Sequence, residues 1–140
     1  MKILIAVDGS SYTRRMLDYL GSHPEFLGEH QEVVVLHAVA AVPARAAASV
    51  AKELLDSYYD EEAERVFKPV RSFFKKQSLS PEFVSKVGHA AEVIGKVAKQ
   101  GKFDLVVMGS RGHGTLGSLL MGSVGVKVLG HCETPVMLVR

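Results

Sequence analysis

Lys2-Ile3-Leu4-Ile5-Ala6-Val7, running straight into Asp8-Gly9-Ser10, is the stretch on which the architecture turns. Six mostly aliphatic residues without polar alternation describe a strand covered on both faces, and the Asp-Gly-Ser that follows is a turn. Further along, residues 32–40 (Val33-Val34-Val35-Leu36-His37-Ala38-Val39 at their centre), residues 105–108 and residues 135–140 repeat the signature. Residues 82–87, entered from Pro81 and left at Gly88, read as a shorter strand.

Helical spacing fills the intervals. Ser10 or Ser11 can cap a helix whose apolar face is Thr13, Met16, Leu17 and Leu20, ending at Gly21 and Pro24. Residues 43–49 read as an Ala-rich loop. Leu54, Tyr58, Val66, Val70 and Phe73 or Phe74 then mark one face of a long helix, bent at Pro69, with Tyr58, Tyr59, Phe73 and Phe74 directed to the core. Ala91, Ile94, Val97 and Ala98 define another helix, closed by Gly101, and residues 123–130 the last. Strands alternating with helices from end to end predict an α/β fold: an open, doubly wound, five-stranded parallel sheet with helices on both faces. A length of 140 residues and 47% apolar content suit a single domain over 1–140.

Composition narrows the function. The net charge is +2, and 17 basic residues are interspersed with 15 acidic ones, so no nucleic-acid-binding face is expected. Cys132 is the only cysteine, which leaves no disulfide framework and no thiolate metal cluster. Asp8 and Gly9 interrupt the first apolar run short of a signal peptide, and residues 33–42 are too short to cross a bilayer, so the expected location is cytoplasmic, away from the membrane.

In open sheets of this kind, ligands sit beyond the carboxyl ends of the strands, where strand order reverses. Attention therefore falls on Asp8-Gly9-Ser10, on the segment after Val39, and on Gly109-Ser110-Arg111-Gly112. The last of these is followed by nine residues and then by Gly122-Ser123 at the mouth of a helix. Glycines let successive N–H groups converge on an anion, and a helix N-terminus adds unpaired amides. The plain reading, that loops are glycine-rich anyway, is outweighed by the position directly between a buried strand and a helix.

Two rival motifs fail on context. Gly112-His113-Gly114-Thr115-Leu116-Gly117 fits GxGxxG, but that pattern belongs after the first strand of a βαβ unit, and here one strand remains. Residues 112–118 imitate a P-loop without its lysine. His37 reads as a hydrogen-bonded core histidine rather than a metal ligand, Cys132 beside His131 as an inert thiol, and His113 either as a phosphate contact or as a bystander.

The spacing Gly109, two residues, Gly112, nine residues, Gly122-Ser123 resembles the nucleotide signature of ATP-binding universal stress proteins. The likeness extends to Ile-Leu-Ile-Ala-Val-Asp-Gly-Ser at the start, Val-Leu-His-Ala at the second strand and Pro-Val-Met-Leu-Val-Arg at the end. It implies a fold of the adenine-nucleotide α-hydrolase type, with the five strands in the order 3-2-1-4-5, and bound ATP, with Mg2+ as an accompanying ion. Asp8 would approach the adenosine and any phosphate-bound metal, Ala38 the adenine edge through its backbone, and Gly109 the ribose. Gly112 and His113, then Gly122, Ser123 and Val124, would hold phosphates, with Ser110 and Arg111 completing the loop. The resemblance also implies a homodimer through the C-terminal strand.

No catalytic residue and no protein metal-ligand set is expected, since positioning without a base or a transition-state arginine gives slow hydrolysis at most, though Arg111 could assist. The leading reading is a nucleotide-dependent regulatory module. An ATP-consuming enzyme would need a substrate domain that this chain does not offer. A dimeric interaction protein of the same fold, binding no nucleotide, is the other alternative. Residues 41–49, with the long helix, are candidates for a lid.

Overall fold

The computed structural model describes residues 1–113 and 121–140. Five strands, β1 (Lys2–Ala6), β2 (Glu32–Val39), β3 (Glu82–Val87), β4 (Leu105–Gly109) and β5 (Val136–Val139), form one sheet in the order β3-β2-β1-β4-β5. Every pairing is parallel. This is the predicted order, and its reversal point lies between β1 and β4. The helices are α1 (Ser11–Gly21), α2 (Ala44–Ala47), α3 (Lys52–Lys76), α4 (Ala90–Gln100) and α5 (Ser123–His131), with a 3-10 turn at Pro24–Phe26.

The unbroken apolar runs resolve into two faces because successive side chains on a strand point opposite ways. Ile3, Ile5, Val35 and Val107 pack with Met16, Leu17 and Leu20 of α1 and with Phe67, Val70 and Phe74 of α3. Leu4, Val34, Leu36, Val106 and Met108 face the other way, onto Ala91, Ile94 and Ala98 of α4 and Val128 of α5. Each such large side chain contributes about 1.5–3 kcal/mol by leaving water. Edge strand β3 is largely exposed, which fits its weaker signal.

Several expectations need correction. Leu54 and Tyr58 do not face the core; they are 67% and 46% exposed. The first buried residue of α3 is Ala63, so its leading turns reach beyond the sheet. Tyr59 does pack against the core, and Phe74, fully buried, takes the central place while Phe73 is half-buried. Within the segment read as a loop, Ala44–Ala47 forms a short helix. Ser10 stands at the N-cap of α1, but its hydroxyl is buried and makes no hydrogen bond among the described residues. No helix among the described residues is long and apolar enough to cross a membrane.

Candidate functional site

Strand register builds the site. Ala6 stands opposite Leu36 on one side and Met108 on the other. Continuing by two residues brings Asp8 level with Ala38 and Ser110, at the carboxyl edge on either side of the switch point. A crevice of ≈ 220 Å3 opens there, with Ala6, Leu36 and Met108 at its base. Asp8, Ala38, Gly109, Ser110, Arg111, Gly112, His113, Gly122, Ser123 and Val124 all line it. The sequence-predicted residues, separated by up to 116 positions (124 − 8), thus share one cleft.

Asp8 is the most constrained of them. Its Oδ1 accepts hydrogen bonds from the Ser10 amide at 2.9 Å and from Thr13 Oγ1 at 2.9 Å, while its own amide donates to Thr13 Oγ1 at 3.1 Å. Its carbonyl oxygen accepts a bond from His113 Nε2 at 2.8 Å. A Cβ on Gly112 would collide with Asp8 Oδ2, so a glycine is required for the loop after β4 to approach this carboxylate. Gly109 is equally confined: a Cβ there would lie 2.7 Å from Tyr12 Cβ on α1.

The entrance of α5 faces the same crevice. Gly122 is its N-cap, no side chain caps it, and no acidic residue stands in its first turn. The leading N–H groups of a helix have no acceptor within the helix, and they carry the positive end of its dipole. Gly122 is the exception to the expected set of free donors, because its amide bonds to the Ser110 carbonyl at 2.7 Å. That bond ties α5 to the end of β4 and leaves the donor role to Ser123 and Val124.

Sequence reasoning missed some of the lining. Thr13 was legible only as a member of an apolar stripe, although a hydroxyl on such a stripe five residues after Asp8 was the available signal. His37 is indeed hydrogen-bonded, through Nδ1 to the Val7 carbonyl at 2.7 Å, and packs edge-on against Phe67. It is half-buried and borders the crevice, a position its strand neighbours did not reveal. Residues 114–118, through which the GxGxxG-like and P-loop-like patterns run, lie outside the described residues.

Among the described lining residues, Asp8 is the single carboxylate and Arg111 the single permanent cation. No group of three or more His, Cys, Asp or Glu side chains is placed to hold a metal among the described residues. The arrangement offers backbone donors, small residues and one fixed carboxylate, which is equipment for holding a ligand.

Comparison with known proteins adds context. The model of the Universal stress protein family matches residues 1–140. A universal stress protein of Thermus aquaticus, encoded in a sulfhydrylase 3' region, is 33% identical over 138 residues, covering 99% of this chain and 97% of that protein. Among solved structures, a universal stress protein family protein from Arabidopsis thaliana with AMP bound superposes with TM-score 0.69 at 18% identity, covering 99% and 90% of the two chains. The universal stress protein from Archaeoglobus fulgidus in complex with dAMP gives 0.64 at 19% identity, covering 100% and 98%.

Proposed function

Because this chain belongs to the universal stress protein family, we propose that it is an ATP-binding member, a nucleotide-dependent regulatory module of the stress response that resides in the cytoplasm. The observation that carries the reading is the meeting, at the switch point, of the uncapped α5 N-terminus with the loop drawn against Asp8 by Gly112. Family members with AMP and with dAMP bound support an adenine nucleotide as the ligand.

In this reading adenine lies by the Ala38 backbone, ribose by Gly109, and phosphates by Gly112, His113, Ser123 and Val124, with Ser110 and Arg111 at their side. Gly122 contributes by fixing α5 rather than by donating. Magnesium is usually held by one or two carboxylates together with substrate phosphates. Asp8 suits that mode, since Oδ1 is engaged by Ser10 and Thr13 while Oδ2 faces Gly112. Hydrolysis would be slow, because the one carboxylate among the described lining residues is held by the Ser10 amide and the Thr13 hydroxyl rather than set to activate water.

Thermal melting tests the proposal. AMP, ADP or Mg·ATP at a hundredfold over Kd adds about 2.7 kcal/mol of stability. No rise in Tm at millimolar concentrations of all three would end it.

A homodimer through β5 is the associated proposal. β5 is an edge strand of consecutive apolar residues, and edges with unpaired N–H and C=O groups recruit further strands. Val126 and Leu129 on α5 are 54% and 48% exposed, as surfaces awaiting a partner are. Sedimentation showing a monomer at micromolar concentration would remove it. A dimer without any nucleotide affinity would instead favour the interaction-protein reading.

A further inference from the structure

Helix α3 begins well before the core that supports it. Its first buried residue is Ala63, so residues 52–62 run for about three turns without a fully buried side chain. Within them Leu54 and Tyr58, four residues apart and therefore neighbours on one helix face, are 67% and 46% exposed. Val50, in the turn that leads into the helix, is 43% exposed. Tyr58 is not a loose ring. It lies 5.8 Å from the Tyr59 ring, which packs against the core and whose hydroxyl accepts a hydrogen bond from the Val42 amide.

The charge around this ridge is of one sign. Residues 52–65 carry six acidic and two basic side chains, in a chain whose net charge is +2. Arg65 is committed to Glu62 at 2.9 Å, while Glu53, Asp56, Asp60 and Glu61 are exposed and form no ion pair among the described residues. Glu61 follows Tyr58 by three residues and so borders the ridge directly. Such a field repels nucleic acid and the anionic surface of a membrane. Its complement is an apolar seam bordered by Lys or Arg, and a convex helical ridge is met by another helix laid along it. Helix α3 packs over β2 and β3, at the far end of the sheet from β5, so pairing of two copies through β5 leaves the ridge uncovered.

We propose that the exposed ridge of Leu54 and Tyr58, with its border of unpaired carboxylates, is a docking surface for a basic amphipathic helix of a partner protein. Leu54 and Tyr58 supply the apolar area, and Tyr58 arrives already oriented by Tyr59, which lowers the entropy lost on binding. Glu53 and Glu61 select the sign of the partner and speed its encounter. Nothing in this surface depends on a nucleotide in the crevice.

NMR titration of the isotope-labelled whole chain tests the surface, with a synthetic helical peptide of about 18 residues that carries leucines along one face and lysines along the other. In the wild-type chain the Leu54 methyl signals and the amides of residues 52–62 should shift, a readout independent of how any variant folds. Affinity should fall about tenfold in Leu54→Ser/Tyr58→Ser, which leaves the charge unaltered. The same peptide with glutamates in place of lysines should fail to bind the wild-type chain and should bind Glu53→Lys/Glu61→Lys. Shifts centred elsewhere, equal affinity of the Leu54→Ser/Tyr58→Ser chain, or equal binding of the two peptides would overturn the surface. Sedimentation showing that Leu54→Ser/Tyr58→Ser abolishes self-association would assign the ridge to a second copy and overturn the partner. Retention of the wild-type chain, but not of that variant, on phosphatidylglycerol vesicles would overturn it in favour of a membrane.

Discussion

The Asp8 carboxylate occupies the space into which a side chain at Gly112 would have to grow. Two segments more than a hundred positions apart are thereby fitted to each other at the carboxyl edge of the sheet. The fit cannot relax freely, because the other oxygen of Asp8 is anchored to Ser10 and Thr13.

Gly112→Ala should therefore push the loop off Asp8 rather than simply rotate the carboxylate. Overpacking of this kind costs about 1–3 kcal/mol. Nucleotide affinity, read by calorimetry with AMP and Mg·ATP, should fall by more than the Tm accounts for. Unchanged affinity and unchanged Tm would show that the loop can swing away without consequence.

Thr13→Val keeps the shape of a buried residue and removes both of its hydrogen bonds to Asp8. The Asp8 amide is left unpaired, at about 1–3 kcal/mol in urea unfolding. Thr13→Ser, which retains the hydroxyl, should recover most of that loss; equal destabilisation by both substitutions would assign the effect to packing.

Gly109→Ala would set a methyl 2.7 Å from Tyr12 Cβ and 3.2 Å from the Tyr12 carbonyl carbon. Both are close to the backbone of α1 and cannot swing aside, so about 1–3 kcal/mol of destabilisation is expected. Tyr12→Ala in the same chain should not relieve it, because the clash involves Cβ rather than the ring. Full rescue by that second substitution would refute this account.

Tyr59 should hold the segment of residues 41–49, since its hydroxyl accepts a bond from the Val42 amide at 3.0 Å. Tyr59→Phe should speed hydrogen exchange at Val42, whereas Tyr58→Phe, on an exposed ring, should not. If the segment acts as a lid, AMP binding slows exchange there in the wild-type chain; identical rates with and without AMP would dispose of the lid.

The architecture was readable because each central strand is buried on both faces, so its residues must be apolar without interruption. The same logic misled at α3. Its 25 residues span about 37 Å, against about 26 Å for the eight of β2. Helical periodicity therefore continues through Leu54 and Tyr58 after the sheet beneath has ended. An apolar stripe records a helix face, but not where its support stops.

What the order of residues determined by itself was the alternation of strands and helices and the segments that follow each strand at the carboxyl edge, because buried strands must be apolar without interruption and helices recur at their own period; the strand order and the individual site residues came with the family resemblance. What only the folded chain decided were the pairings across it: the Gly122 amide committed to Ser110, His113 bound to the Asp8 carbonyl, and Thr13 bound to the Asp8 carboxylate. Those depend on ångström-scale distances between distant segments, which spacing along a sequence does not encode.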